Sequence, residues 1–214
     1  MAKWLWSLAA CIALAMAGAG VSNAQGKILR LAVLGDSLTA GFGLNAKDAF
    51  PAVLEREMRA KGMDVEVLNF GVSGDTTAGG LSRLGPVIAA RPGGVILELG
   101  ANDGLRGLDP ALVEANLEAI ITALGKNNIP VLLTGMRALL GMGKGYSDEF
   151  AQVFNRLARK HTLPFYPFFL EGVAGDRTLN QPDGLHPTPE GVRVIVRNIL
   201  PTAMDFAAGL AKRK

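Results

Sequence analysis

The sequence of 214 residues contains one cysteine, Cys11, and only two histidines, His161 and His186. Cys11 lies in an N-terminal apolar segment that we expect to be removed, so the remaining chain can form neither disulfides nor cysteine-ligated metal sites. With so few ligands of this kind, the sequence predicts no metal and no cofactor. Charge is also scarce, because only 19% of the residues are charged and the net charge is +3. The longest basic run covers residues 212–214, which argues against a nucleic-acid-binding protein.

The first 24 residues have the composition of a secretory signal peptide. Lys3 is the only charged residue among them, and residues 8–17 form an unbroken apolar run. Small residues at Ser22 and Ala24 then supply the pattern of a signal peptidase site. We therefore predict cleavage after Ala24.

This prediction divides the chain into a signal peptide, residues 1–24, and a single domain, residues 25–214. It indicates a bacterial protein that is periplasmic or secreted and has no stable membrane insertion after cleavage. Two alternatives remain open. The apolar segment would be an uncleaved anchor if the peptidase failed to act, although its glycines and polar residues interrupt the length that a spanning helix needs. The chain would be a lipoprotein if Cys11 were lipidated.

Apolar runs and helical periodicities alternate along the predicted domain. Short, continuously apolar segments predict five buried strands, at residues 28–34, 65–68, 95–99, 131–134 and 165–168. Helical spacing predicts five helices, at residues 50–60, 77–90, 110–124, 148–160 and 189–208. Buried strands that alternate with helices are typical of a parallel sheet covered on both faces. The sequence therefore predicts one α/β sandwich domain.

The loops that follow the first three strands, and the loop before the last helix, carry groups suited to nucleophilic catalysis. Ser37, Gly74 and Asn102 follow the first, second and third strands. A serine hydroxyl needs a base to remove its proton, and histidine is the usual base near neutral pH. His186 precedes the last helix, and Asp183 can reach its imidazole from the same turn. Functional groups gather at the carboxyl ends of parallel strands, so we expect these side chains to meet.

Negative charge that develops on an attacked carbonyl oxygen must be stabilised by preorganised donors. The backbone amides of Ser37 and Gly74 and the carboxamide of Asn102 are suitable donors for such an oxyanion hole. We interpret three other polar residues as structural. Asp36 is expected to bind amides of its own turn, and Asp103 to cap a helix.

His161 is the third residue that we interpret as structural. It has no carboxylate nearby in the sequence and lies at the end of a predicted helix. A cation is favourable at that position. Asp176 is the nearest rival of Asp183 as the partner of His186, but it lies ten residues from the histidine.

Taken in order, these loops resemble the four sequence blocks of the GDSL/SGNH hydrolase superfamily, which is named after its serine, glycine, asparagine and histidine. The resemblance extends from about Leu31 to Gly191 and is carried by residues 35–38, 71–76, 100–103 and 183–187. It implies a flavodoxin-like three-layer sandwich with a five-stranded parallel sheet. It also implies that the enzyme needs no cofactor.

Residue by residue, the resemblance implies that Ser37 is the nucleophile, His186 the base and Asp183 the acid that orients it. Ser37, Gly74 and Asn102 would supply the oxyanion donors. Residues 73–77 and 98–107 look more specifically like the bacterial periplasmic arylesterase branch, which includes a multifunctional thioesterase, protease and lysophospholipase.

The sequence departs from that branch after the fourth predicted strand. Where the branch commonly has a Pro-Pro-Asn-Tyr-like loop, this chain has residues 138–143, which are mainly apolar and glycine. In the resembling enzymes this loop helps to shape the acyl pocket, so the substrate choice stays open. We expect Leu139, Leu140 and Met142 to line or cover that pocket.

These observations predict a serine esterase that hydrolyses carboxylic ester or thioester bonds through an acyl-enzyme on Ser37. Its partner would be a small-molecule or lipid acyl ester. Two alternatives remain: a carbohydrate deacetylase of the same superfamily, and a catalytically silent binding module that retains the motifs by descent.

Overall fold

The computed structural model describes residues 28–138 and 142–212. The predicted signal peptide and its cleavage site therefore lie outside the described residues. The strands within them are β1 (Leu29–Gly35), β2 (Val65–Gly71), β3 (Gly94–Glu98), β4 (Val131–Thr134) and β5 (Phe165–Tyr166). The helices are α1 (Ser37–Ala40), α2 (Phe50–Ala60), α3 (Thr77–Ser82), α4 (Leu84–Ala89), α5 (Ala101–Leu105), α6 (Pro110–Lys126), α7 (Lys144–Lys160) and α8 (Pro189–Ala211).

The five strands form one parallel sheet in the order β2-β1-β3-β4-β5, which confirms the predicted α/β fold. The strand order reverses between β1 and β3, and open sheets of this kind bind their ligands in the crevice at such a switch point. Gly35 at the end of β1 is in register with Gly71 on one side and Glu98 on the other. The loops that leave these three strands therefore begin at the same level.

Helices cover both faces of the sheet. On one side α2 packs against α8, and on the other α6 packs against α3 and α7. The rings of Phe50 and Phe169 meet edge to face at 4.9 Å, and those of Phe150 and Phe154 at 5.7 Å. All four rings are fully buried, and burying one such side chain contributes about 1.5–3 kcal/mol. The sheet and its two helical layers thus form a continuous core.

The final helix is long and apolar enough to cross a membrane by length and composition alone. In the described structure its apolar residues, among them Val192, Ile195, Ile199 and Phe206, are buried in the core. The packing of α8 against α2 therefore accounts for its hydropathy.

The structure divides the predicted helix at residues 77–90 into α3 and α4, with the break at Arg83. Pro86 has no backbone N–H to donate to the carbonyl of Ser82, so a continuous helix would lose a hydrogen bond and suffer a steric clash. The Arg83 guanidinium instead donates to the carbonyl of Phe70 at 2.7 Å. Two smaller differences are that α7 begins four residues earlier than expected and that β5 has only two residues.

Two short helices that periodicity did not predict lie directly after β1 and β3. Helix α1 begins at Ser37, and α5 begins at Ala101 and contains Asn102. The chain enters α5 through Gly100, whose φ of 118° is a conformation that other residues rarely adopt. A Cβ atom at this position would also lie 2.9 Å from the Phe154 ring. Both helices are too short to show a 3.6-residue pattern.

Gly71 lets the end of β2 lie close to helix α1, since an added Cβ would be only 2.2 Å from the backbone N of Ala40 in that helix. We predict that Gly71→Ala lowers the free energy of unfolding by about 1–3 kcal/mol, the usual cost of overpacking, and also reduces activity. Gly85→Ala is the matched control, because its added Cβ meets no atom within 4 Å inside α4. That change should be neutral or stabilise by up to about 1 kcal/mol. Urea unfolding measures the free energy of unfolding of both variants. An equal change in the two variants would contradict the close packing of Gly71 against α1.

Candidate active site

The structure brings the three residues of the predicted catalytic triad into one chain of contacts. His186 Nε2 lies 2.9 Å from Ser37 Oγ, and His186 Nδ1 lies 2.7 Å from Asp183 Oδ2. Ser37 starts α1 at the end of β1, whereas the other two residues lie in the loop before α8. The serine is 8% exposed and so lies at the boundary between core and solvent.

Asp183 is held by its own loop as well as by the imidazole. Its Oδ1 accepts hydrogen bonds from the backbone amides of Leu185 at 2.9 Å and His186 at 3.0 Å. These bonds, with the contact to the His186 side chain, lower the pKa of Asp183 to about 2. The carboxylate is therefore ionised at any pH where a histidine titrates. Asp176, the rival candidate, instead accepts hydrogen bonds from Thr178 in its own turn.

The loop that carries His186 is fixed to the loop that follows Ser37. Gln181 Nε2 donates to the carbonyl oxygens of Phe42 at 2.8 Å and Pro187 at 3.0 Å. The ring of Phe42 lies over the imidazole of His186, with 4.5 Å between ring centroids. Neither Gln181 nor Phe42 is predicted as a site residue from the sequence. The one signal for Phe42 is that an aromatic residue stands between two glycines, Gly41 and Gly43, five residues after the candidate nucleophile.

Asn102 joins three of the four sequence blocks. Its Nδ2 donates to the carbonyl oxygen of Asp75 at 2.9 Å and contacts Asp36 Oδ2 at 3.3 Å. From the same region, Arg106 donates to the carbonyl oxygen of Gly74 at 3.0 Å. The carboxamide therefore has a fixed orientation between the loop after β2 and the start of α1.

The residues interpreted as structural have structural contacts. Asp103 accepts hydrogen bonds from the backbone and side chain of Thr77 at the start of α3. His161 follows the last residue of α7 and lies 3.3 Å from Glu118 Oε1. Neither residue belongs to the Ser37 cavity described next.

A cavity of about 200 Å³ opens beside Ser37, Asn102 and His186. Most of the other described residues that line it are apolar: Leu38, Ala101, Leu105, Met136, Leu170, Ala174 and Leu185. Arg137 also lines the cavity, with its guanidinium 4.4 Å from the centre of the Phe168 ring. The site thus combines a polar reaction centre with an apolar compartment, as binding pockets commonly do.

Of the three residues expected to line the acyl pocket, only Met142 belongs to the residues that the structure describes. Met142 lies over Gly107, where an added Cβ would be 2.3 Å from the methionine Cε, and it is not among the described residues that line the cavity. Leu139 and Leu140 lie outside the described residues. Within residues 28–138 and 142–212, no group of three histidine, cysteine, aspartate or glutamate side chains is arranged to hold a metal ion.

Residues 33–194 match the GDSL-like Lipase/Acylhydrolase family. Esterase TesA of Pseudomonas aeruginosa PAO1 is 36% identical over 91% of this chain and 95% of its own length. The arylesterase of Vibrio mimicus is 40% identical over 75% of this chain and 81% of its own. Thioesterase 1/protease 1/lysophospholipase L1 of Escherichia coli K12 is 37% identical, over 73% and 74% respectively.

The fold is also similar to that of solved enzymes. AlinE4, described as an SGNH-hydrolase family esterase, superimposes with a TM-score of 0.72 at 41% identity. The superposition covers 85% of this chain and 97% of AlinE4. Together with the family match, this similarity confirms the resemblance that the four sequence blocks indicated.

Proposed function

The chain belongs to the GDSL-like lipase/acylhydrolase family and is a serine-type carboxylic ester hydrolase, and we propose that it acts through an acyl-enzyme formed on Ser37. In this proposal His186 is the general base and Asp183 orients and stabilises it. The observation that supports these roles most directly is the continuous series of contacts from Asp183 Oδ2 through the imidazole to Ser37 Oγ. Hydrolysis of this type needs no metal or cofactor.

In the first half of the proposed reaction, Ser37 Oγ attacks the acyl carbon while its proton moves to His186 Nε2. The tetrahedral intermediate then collapses, the bond to the leaving group breaks, and the imidazolium returns the proton to the departing alcohol or thiol. In the second half, water attacks the acyl carbon of the acyl-enzyme while His186 accepts its proton. The proton then returns to Ser37 Oγ as the acid product leaves. The ionised Asp183 stabilises the imidazolium in both halves.

The negative oxygen of each tetrahedral intermediate requires donors fixed in advance. We propose the backbone amides of Ser37 and Gly74 and the carboxamide of Asn102 for this role. Two observations support it: Ser37 occupies the first turn of α1, where its amide has no partner within the helix, and Asn102 lines the same cavity as Ser37.

The apolar lining of the cavity favours an acyl chain over a carbohydrate, whose hydroxyl groups would lack partners there. We therefore propose acyl esters and thioesters as substrates, with aryl alcohols, thiols or the glycerol hydroxyl of a lysophospholipid as the leaving group, as the names of the relatives suggest. A carbohydrate deacetylase is correspondingly disfavoured. We also propose that residues 1–24 export the protein to the periplasm or beyond, since their sequence has the pattern of a signal peptide.

The proposed nucleophile is tested by Ser37→Ala. Removing a triad residue typically lowers kcat by about 10⁴-fold, and the change should leave the melting temperature nearly unchanged because it removes one hydroxyl. Hydrolysis of p-nitrophenyl butyrate measures the effect. Ser82→Ala is the control, since this exposed serine bonds only the carbonyl of Gly79. A Ser37→Ala enzyme that kept a tenth of the activity would refute the assignment.

The proposed acyl pocket is tested by Leu105→Asn. Leu105 ends α5 and lines the cavity, so a polar side chain there should weaken contact with long acyl chains. Losing burial of about two methylene groups costs roughly 1.5 kcal/mol, which corresponds to about a tenfold loss in kcat/KM for an octanoyl ester. Acetyl esters should change little.

The matched control is Leu112→Asn, which alters an exposed leucine of α6 outside the cavity lining. It should leave the rates of a p-nitrophenyl ester series from two to sixteen carbons unchanged. An equal loss on acetyl and octanoyl esters in Leu105→Asn would show that Leu105 does not contact the acyl chain.

A further inference from the structure

Two fully buried carboxyl groups contact the helix that begins with the proposed nucleophile, and the triad uses neither. Asp36 and Glu98 each have 0% exposed surface. Glu98 ends β3 opposite Gly35, so the sheet register places it next to Asp36. Thr39 Oγ1 donates to Glu98 Oε2 at 2.7 Å, while Glu98 Oε1 has no hydrogen-bond partner within the described residues.

These two groups cannot easily be ionised together, because they are close and removed from water. Burial raises the pKa of Glu98 well above its usual value, and the charge of Asp36 raises it further. Burial also raises the pKa of Asp36, to about 6, against the lowering effects of the Leu38 amide and of His186. Of the two carboxyl groups, Glu98 therefore holds its proton more strongly, and Asp36 is the one that ionises more readily.

The Asp36 carboxylate contacts both the helix that carries Ser37 and the side chain of Asn102. Its Oδ1 accepts a hydrogen bond from the Leu38 amide at 3.0 Å, which caps the helix that begins at Ser37. Its Oδ2 lies 3.3 Å from Asn102 Nδ2, the proposed oxyanion donor. The Asp36 carboxylate also interacts electrostatically with His186, which lowers the pKa of Asp36.

The other charged groups around Asp36 have partners of their own outside the triad. Asp103, on α5, raises the pKa of Asp36, but its own carboxylate is committed to Thr77. Arg83 donates to the carbonyl of Gly35 at 2.7 Å, but its guanidinium is paired with the carboxylate of Asp75. Neither group contacts Asn102 by a hydrogen bond within the described residues.

We propose that Asp36 is a positioning residue of this hydrolase: its carboxylate orients the Asn102 amide and helps to stabilise the imidazolium of His186 during acyl transfer. Asp36 therefore complements Asp183, which binds the same imidazole directly. This role rests on the proposed function of Ser37, His186 and Asn102, and it goes beyond binding amides of the residue's own turn.

Asp36→Asn tests the role with little change of shape. The new carboxamide can still accept from the Leu38 amide through its oxygen, so the helix cap is retained. Its NH₂ group then faces Asn102 and cannot accept a hydrogen bond. We expect kcat to fall about 10- to 100-fold, as a misplaced catalytic group does, with KM changed by no more than about twofold.

The pH profile separates this role from a purely structural one. Asp36→Asn removes a negative charge that favours the imidazolium formed during acyl transfer. The acid limb of kcat/KM should therefore shift to lower pH in Asp36→Asn. Glu98→Gln is the matched control, because it makes the same carboxyl-to-amide change at the carboxyl group of the pair that ionises less readily. Its acid limb should stay in place, and its kcat should stay within about threefold of wild type.

A double mutant tests the path through Asn102. If Asp36 acts partly by orienting that amide, Asp36→Asn should cost less in an Asn102→Ala background than in wild type. Additive effects of the two changes on kcat, combined with an unshifted acid limb, would overturn the proposal. If Asp36→Asn does not fold, Asp36→Ser retains a capping hydroxyl without the charge and is subject to the same criteria.

The outcome is distinct from that of the triad experiment. Should Ser37→Ala abolish hydrolysis while folded Asp36→Asn keeps the wild-type kcat and acid limb, the function stands and the positioning role is wrong. Should Ser37→Ala remain active, the proposed function itself fails.

Discussion

The catalytic arrangement depends on one contact, the 2.9 Å approach of His186 Nε2 to Ser37 Oγ between residues 149 apart in the chain. No local interaction can create it, because one residue follows the first strand and the other precedes the last helix. The sheet fixes the position of Ser37 through the register of β1 with β2 and β3. Packing of α8 against α2 fixes the other end, since α8 begins three residues after His186. The core is thus what holds the proposed base and the proposed nucleophile together.

The electrostatics of the site follow from the different surroundings of two carboxyl groups. Asp183 lies in an exposed turn, where amides and the imidazole hold its pKa near 2. Asp36 lies in the core, where desolvation raises its pKa to about 6. Groups of one chemical type whose environments separate their pKa values are a common feature of active sites. Here a permanently ionised group and a titrating group both act on the same imidazole.

Local patterns in the sequence were sufficient for the sheet and for the residues of the four blocks. Continuous apolar runs predicted β1 to β5, and the spacing of Asp183 and His186 predicted a contact that the structure contains. The elements that hold the site were harder to predict, because α1 and α5 are shorter than two turns. Pro86 indicates the break between α3 and α4, but the helical spacing on both sides of it led to the prediction of one continuous helix.

Contacts that depend on tertiary structure were beyond sequence reasoning. The proximity of Asp36 and Glu98 follows from the register of β1 and β3, which no local pattern specifies. The contact between the rings of Phe42 and His186 requires the loop after α1 to meet the loop before α8. The described part of the cavity is lined by residues of α5, by Met136 after β4 and by the segment around Leu170, which no local pattern pointed to. The sequence thus predicted which polar groups meet at the site better than it predicted their surroundings.

The central claim is that the imidazole of His186 activates Ser37 as the nucleophile, and covalent labelling with a fluorophosphonate tests it most directly. Peptide mapping of the labelled wild-type protein should find one phosphonyl group per chain, on Ser37, and His186→Ala should slow the labelling by about 10³-fold or more. Label on a different residue, or labelling of Ser37 at an undiminished rate in His186→Ala, would contradict the account.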